Sequence, residues 1–264
     1  MINYLEKFSI KDKTAYVVGG LGLIGVEISK ALSSAGAKTV ILDIDEAKGR
    51  TVEKEINKHG YTSYYEHFDA TMLEKIDSRI DRLVKKYGSV DIWVNSSFPK
   101  TKDWGDSIED LRLDSWRKNV DMHLNSYAWI SRQVALVMRK LKLKGTIINL
   151  GSIYGIQGND FSVYKGTNMT GPMAYSAIKG GIVNLTRYLA AYFGPYGIRV
   201  NNVCPGGIFD NQDKKFVANY EQKVPLARMG KPEEIASVVL FLASDSASYI
   251  NGTNIIADGG FTII

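Results

Sequence analysis

The sequence predicts an α/β protein with a doubly wound, parallel, seven-stranded sheet and helices on both of its faces. Short apolar runs of strand length alternate with segments of helical length along the whole chain, and no linker or repeat interrupts the pattern. The first apolar run leads directly into a glycine-rich turn and a helix. Because strands that alternate with helices pair in parallel through right-handed crossovers, we expect a single domain over residues 1–264.

The strands are predicted from apolar runs that end at polar or turn residues. In chain order they are Ala15–Val18, Lys38–Leu42, Ser63–Phe68, Val90–Val94, Thr146–Leu150, Gly197–Val203 and Asn254–Ala257.

The helices are predicted from their apolar spacing and from start and stop residues. Gly36 and Gly60 stand where helices end, Asp114 is expected to be an N-cap, and Pro232 suits a first helical position. The predicted helices are Val26–Ala35, Glu46–Lys58, Leu73–Tyr87, Asp114–Lys140, Ala174–Phe193 and Pro232–Ala243. Residues 209–229 show no clear period and are predicted to form a mobile flap.

Composition argues against several classes of protein. The net charge of +5 comes from 33 basic and 28 acidic residues that are mixed along the chain, which disfavours a nucleic-acid face. No apolar run approaches the length of a membrane span, and no secretory leader is recognisable. The single Cys204 and three histidines without metal-ligand spacing predict neither a disulfide framework nor a metal site. We therefore expect a cytoplasmic protein.

The glycine turn predicts dinucleotide binding. Gly19, Gly22 and Gly25 lie between a strand and a helix, where backbone amides, including those of Leu23 and Ile24, can face a pyrophosphate. A chance cluster is the alternative in a chain with 25 glycines.

An acidic residue after the second strand predicts which dinucleotide is bound. Asp43 can accept hydrogen bonds from the adenosine ribose and would repel a 2′-phosphate, so NAD is favoured over NADP. A plain turn aspartate is the alternative. If NADP were preferred, Lys38 or Arg50 would be the candidate phosphate ligands.

Tyr175 and Lys179 predict proton-transfer chemistry. Four residues apart on a helix, they share one face, and a nearby ammonium would lower the pKa of the phenol from its usual value of about 10. Ser152 follows a buried strand and can hold the same substrate oxygen. An aromatic residue packed beside a solvated lysine is the alternative.

In this order, the motifs resemble the short-chain dehydrogenase/reductase family over essentially the whole length. They are the glycine turn, Asp43, Asp69, Asn95, Ser152, Tyr175-x-x-x-Lys179, Pro205-Gly206 and Asp258-Gly-Gly260. The resemblance implies a Rossmann-type sheet and hydride transfer between a nicotinamide and a carbon that bears a hydroxyl or carbonyl.

The same resemblance implies residue roles. Tyr175 would be the general acid/base, Ser152 would hold the substrate oxygen, and Lys179 would bind the nicotinamide ribose. Asp69 and Ala70 would lie near the adenine and Asn95 near the adenosine ribose. Pro205, Gly206 and Ile208 would complete the cofactor site.

The sequence departs from the family pattern at several positions. The usual Asn-Asn-Ala-Gly is Asn95-Ser-Ser-Phe98, and the catalytic asparagine of the long helix aligns with His123. His123 is expected either to take over that role, through a water or a direct relay, or to be a packed helix residue. The glycine spacing resembles nucleotide-sugar epimerases and dehydratases, and a cofactor-binding regulator without turnover is a third reading.

The segments beside the predicted nicotinamide site indicate the substrate. They carry many polar groups: Gln157, Asn159, Asp160, Tyr164, Lys165, Asn168, Thr170, Asp210, Asn211, Gln212 and Asp213. Unpaired buried polar groups are costly, so these favour a sugar, an amino sugar or a nucleotide derivative of one. The long polar loop and the turn Pro205-Gly-Gly-Ile-Phe-Asp-Asn211 also resemble oxidoreductases of bacterial surface-sugar and sialic-acid-like pathways. Two solvent-facing loops over a small pocket are the alternative. The residues Tyr127, Ile130, Val134, Tyr188 and Tyr192 are expected to face outward and to form a homodimer or homotetramer.

Overall fold

The computed structural model of the protein describes residues 3–264. Its seven strands are β1 Thr14–Val18, β2 Lys38–Asp43, β3 Ser63–His67, β4 Ile92–Asn95, β5 Thr146–Leu150, β6 Arg199–Pro205 and β7 Asn254–Ala257. Its helices are α1 Leu23–Ser34, α2 Glu46–Lys58, α3 Ile76–Tyr87, α4 Leu113–Asn119, α5 Ser126–Lys140, α6 Met173–Phe193, α7 Lys214–Glu221 and α8 Pro232–Ala243.

The strands form one parallel sheet in the order β3-β2-β1-β4-β5-β6-β7. This confirms the predicted doubly wound architecture. The strand order reverses between β1 and β4, where Val18 pairs with Leu42 on one side and with Asn95 on the other. Ligands of such sheets bind outside the carboxyl ends of the strands at this switch point.

Apolar layers on the two faces of the sheet hold the helices in place. On one face, Ile80 of α3, Val134 of α5 and Phe193 of α6 pack in a buried cluster against Trp93 of β4. On the other face, Leu32 of α1 and Val239 of α8 pack against central strands in a second cluster. No helix within residues 3–264 is long and apolar enough to cross a membrane.

The glycines predicted to end helices do so. Gly36 and Gly60 have φ of +98° and +84°, in the left-handed region that favours glycine.

The predicted long helix differs from the observed one. It begins at Leu113, with Arg112 at the N-cap position, so Asp114 is not the cap. Between α4 and α5 the chain forms a π-helical segment, Val120–Asn125, which contains His123. Single π-turns inside helices are frequent at functional sites.

Two other predictions about surface segments are wrong. Residues 209–229 are not an irregular flap, because they contain α7, whose Phe216 and Tyr220 are buried. Tyr127, Ile130 and Val134 are buried within the subunit, whereas Tyr188 and Tyr192 are exposed as expected.

Candidate active site

A cleft of about 780 Å³ lies at the carboxyl ends of the central strands. The turn after β1, the ends of β4 and β5, the start of α6 and the loop after β6 line it. Almost all predicted site residues therefore meet at one place, as the switch-point topology requires.

The glycine turn leaves room for a ligand on the side that faces the cleft. A Cβ atom on Gly19 would lie 2.5 Å from Ser97 Cα, and one on Gly25 would lie 2.0 Å from Gly19 O. These two glycines allow close backbone packing. A Cβ on Gly22 would meet only Gly19 O, at 3.4 Å, and Gly22 lines the cleft.

The first turn of α1 adds hydrogen-bond donors to this space. α1 begins at Leu23, and no side chain caps its N-terminus. Leu23 and Ile24 both line the cleft. Uncapped amides and the positive end of the helix dipole suit a phosphate, so the turn fits the pyrophosphate of a dinucleotide.

Asp43 holds the glycine turn and also lines the cleft. Its Oδ2 atom accepts a hydrogen bond from Leu21 N at 3.1 Å, and its Oδ1 atom accepts one from Ile44 N at 2.7 Å. Lys48, which the sequence reasoning did not single out, also lines the cleft and donates to Leu21 O at 2.7 Å.

The two basic residues named as alternatives for a 2′-phosphate lie elsewhere. Lys38 donates to Tyr87 O, and Arg50 pairs with Glu53. Neither lines the cleft. Lys48 is thus the basic side chain that lines the cleft beside Asp43.

The other predicted adenosine residues divide into two groups. Asp69 and Ala70 line the cleft. Asn95 does not: its buried amide donates to Asn149 Oδ1 at 2.9 Å and to Ser131 Oγ at 3.0 Å, beneath the cleft. Ser96 and Ser97 face the cleft in its place.

Ser152 and Tyr175 meet at the floor of the cleft. Burial raises the pKa of Tyr175 above its ordinary value, and the hydrogen bond with the Ser152 hydroxyl opposes that rise. The prediction of a lowered phenol pKa is therefore not met in the free protein.

Lys179 explains this difference. Its ammonium is buried, donates to Leu150 O at 2.8 Å and lies 5.5 Å from the centroid of the Tyr175 ring. Burial lowers the pKa of Lys179 from 10.5 to about 7. Because the ammonium is desolvated as well, it does not bring the pKa of the phenol below its ordinary value.

His123 lies behind the reacting groups rather than among them. It is fully buried in the π-helical segment, and neither ring nitrogen has a hydrogen-bond partner within the described residues. Burial, and next the nearby charge of Lys179, hold the pKa of His123 well below 6.5. The imidazole does not line the cleft, so the structure offers no direct path from it to a substrate.

Phe98 fills the position where the family pattern has glycine. Its ring is 43% exposed, lines the cleft, and meets the Tyr175 ring edge-to-face with centroids 5.7 Å apart. The same ring contacts Trp104 and His123 at 5.4 and 5.2 Å. Phe98 thus lies between the Tyr175 ring and the buried histidine.

The outer wall of the cleft is more aromatic than the sequence predicted. Tyr154, Tyr164, Phe216 and Tyr220 line it. Of the polar residues expected there, only Tyr164, Asp210 and Gln212 do so.

Several of the other polar side chains hold their own segments together. Asn159 accepts a hydrogen bond from Ser176, and Asp160 accepts one from Ser162 N and pairs with Lys223.

The end of β6 and the loop after it line the cleft on the side predicted to hold the nicotinamide. Pro205, Gly206 and Ile208 line the cleft there, as the resemblance implied. A Cβ on Gly206 would lie 2.8 Å from Asp258 Cα, so glycine permits the close approach of this loop to the end of β7.

Comparison with known proteins gives a consistent family. A family model described as enoyl-(acyl carrier protein) reductase matches residues 22–262. Galactitol 2-dehydrogenase of Rhizobium johnstonii is 33% identical, with 99% of each chain covered. The post-translational flagellin modification protein A of Campylobacter coli is 30% identical, with 96% of this chain and 99% of that protein covered.

Solved structures agree with these relatives. A gluconate 5-dehydrogenase from Burkholderia cenocepacia, in complex with NADP and tartrate, has a TM-score of 0.88 at 25% identity, covering 99% of this chain and 100% of that one. A short-chain dehydrogenase from Leptospira borgpetersenii with bound NAD+ has a TM-score of 0.84 at 32% identity, covering 99% and 97%.

Proposed function

The chain belongs to the short-chain dehydrogenase/reductase family, and we propose that it is an NAD-dependent oxidoreductase that interconverts a secondary alcohol and a ketone on a polyhydroxylated substrate. The observation that carries this proposal is the convergence of Ser152, Tyr175 and Lys179 at one end of the cleft whose other end is the glycine turn.

These residues divide the work of the reaction. The substrate oxygen would sit between the hydroxyls of Ser152 and Tyr175. In the oxidation direction Tyr175 accepts the hydroxyl proton, and in reduction it returns that proton to the carbonyl oxygen. The bound nicotinamide supplies the acceptor or donor of the hydride.

The raised pKa of Tyr175 predicts how the rates of oxidation and reduction depend on pH. Burial keeps Tyr175 protonated in the free protein, which suits its role as the acid in ketone reduction. Oxidation needs the phenolate, so we expect its rate to rise with pH more steeply than the rate of reduction does.

We favour NAD because of Asp43. Its carboxylate lines the cleft after β2, where the adenosine ribose would lie, and a 2′-phosphate placed there would meet like charge. Lys48 would be the nearest group to offset that repulsion. One structural neighbour holds NADP and another holds NAD, so the choice of NAD for this chain rests on Asp43.

We place the substrate among sugars and their derivatives. The aromatic wall gives flat surfaces for the carbon skeleton, and the hydroxyls of Tyr154 and Tyr164 line the same space. The relatives that act on galactitol and gluconate support this class.

We also propose that the chain self-associates in the cytoplasm. Tyr188 and Tyr192 of α6 are 66% and 53% exposed and stack on each other, and Trp129 of α5 is exposed as well. The buried free thiol of Cys204 suits a reducing compartment.

The test is Tyr175→Phe. We expect turnover to fall by at least 10²-fold, since a positioned acid/base group typically contributes that much, while the dinucleotide Kd stays nearly unchanged. Tyr188→Phe, an exposed position on the same helix, is the matched control. A Tyr175→Phe enzyme that kept about a tenth of the wild-type kcat would refute the assignment.

A broad panel of alcohols and ketones completes the test. Dinucleotide binding without turnover of any member would favour a cofactor-binding regulator instead.

A further inference from the structure

A lysine lines the cleft next to the aromatic ring that contacts Tyr175. Lys100 lies in the segment after β4 and lines the cleft. Its Nζ atom is 5.2 Å from the centroid of the Phe98 ring, and that ring meets Tyr175 edge-to-face at 5.7 Å. The ammonium therefore contacts the same ring that packs against the Tyr175 phenol.

The other lysines of the cleft already have partners. Lys48 donates to Leu21 O at the adenosine end, and Lys179 donates to Leu150 O beneath Tyr175. No carboxylate of residues 3–264 forms a salt bridge with Lys100. Lys100 is thus a cation of the cleft that is free to pair with a ligand.

The acidic groups of the cleft do not neutralise this position. Asp43, Asp45 and Asp69 belong to the adenosine end, after β2 and β3, and Asp210 is an exposed residue of the loop after β6. The Phe98 ring under the ammonium favours this position of the charge through a cation–π contact.

We infer that Lys100 anchors an oxyanion of the substrate. The substrate class is then a polyhydroxylated alcohol or ketone that carries a carboxylate or phosphate group, several atoms from the carbon that reacts. This inference rests on the proposed function, because the reacting oxygen is the one held by Ser152 and Tyr175. A carboxylate and a phosphate present the same chemistry to an ammonium, and experiment must separate them.

The first experiment measures binding to the dinucleotide complex by calorimetry and needs no turnover. The probes share one carbon skeleton: D-glucitol, D-gluconate and D-glucitol 6-phosphate. We expect at least one anion to bind about tenfold more tightly than glucitol, and Lys100→Gln to remove that difference. Lys100→Arg should retain it. Lys102→Gln, which changes an exposed lysine that does not line the cleft, is the matched control.

Salt provides a second readout. The Kd of the preferred anion should rise with ionic strength in the wild type and become insensitive to it in Lys100→Gln. Preference for gluconate would identify a carboxylate, and preference for glucitol 6-phosphate a phosphate.

Two results would overturn the inference: glucitol bound as tightly as both anions, or an anion preference that survives Lys100→Gln. Failure of the proposed function would give a different result. The wild-type protein would then turn over no alcohol or ketone, and Tyr175→Phe would have no activity to lower. A protein that oxidises only neutral polyols would keep the proposed function and lose the anion anchor.

Discussion

The buried His123 should make the stability of the protein sensitive to acid. In the folded state burial holds the pKa of the imidazole well below 6.5, whereas in the unfolded chain it returns to about 6.5. Below pH 6.5 the imidazole binds a proton in the unfolded chain but stays neutral in the folded protein. Acidification therefore favours unfolding, and this contribution to stability is fully present only above pH 6.5.

The size of the effect follows from the linkage relation. If the folded imidazole stays neutral, lowering the pH from 8 to 5 costs about 2 kcal/mol of unfolding free energy from this one group. For a chain of this length that corresponds to a fall in Tm of about 4 °C. His123→Asn should remove this share of the pH dependence, whatever it does to stability at pH 8.

Thermal unfolding of the cofactor-free protein between pH 5 and pH 8 provides the measurement. The change in Tm across this range is compared for the wild type, for His123→Asn and for His59→Asn, which alters an exposed histidine. We expect His123→Asn, but not His59→Asn, to reduce the fall in Tm between pH 6.5 and pH 5. Equal acid sensitivity in the wild type and His123→Asn would refute the argument.

Catalysis by the same variant tests the position of the imidazole. His123 contacts Phe98 and Tyr127 but does not line the cleft, so we expect His123→Asn to change kcat at pH 8 by only a few fold. A collapse of kcat with unchanged substrate affinity would show a direct proton relay and contradict this placement.

Two further predictions concern the cofactor and the assembly. Asp43→Ser should lower the ratio of kcat/KM with NAD to that with NADP by about tenfold or more, because it removes the charge that opposes a 2′-phosphate; a wild-type preference for NADP would contradict the assignment. Tyr188→Asp with Tyr192→Asp should shift the mass measured by light scattering toward the monomer, since charge is poorly tolerated in a buried interface, and a wild type that is monomeric at micromolar concentration would refute self-association.

The sheet was predictable because buried parallel strands are near-continuous apolar runs. The central strands β1, β2, β4 and β5 are such runs, and all seven predicted strands are present with ends shifted by one or two residues at positions such as Ile92 and Arg199. The π-helical segment was not predictable, because its hydrogen-bond shift depends on how Val120–Asn125 packs against the rest of the protein. The short helix α7 was missed because its buried side chains are few.

The site was predictable in its glycine turn and its Ser152, Tyr175 and Lys179. The roles of other residues were harder to predict, because they depend on the direction in which the side chain points. Asn95 ends a strand in the cleft wall, yet its amide turns down to Asn149, and the next two residues face the ligand space. The polarity of Asp160 predicted a pocket residue. Short acidic side chains often accept hydrogen bonds from the local backbone instead, and Asp160 accepts one from Ser162 N.

The backbone N–H and C=O of Leu21 are held by side chains from two neighbouring elements. Asp43 accepts from its N–H, and Lys48 donates to its C=O, so β2 and α2 clamp the glycine turn from both sides. The residues that would select the dinucleotide are therefore also those that set the shape of its phosphate cradle. A substitution of Asp43 would therefore change the structure of the turn as well as the charge beside the ribose. A substitution of Asp43 that admits a 2′-phosphate would also remove a hydrogen bond from the turn proposed to hold the pyrophosphate, so a designer would need to restore that contact as well.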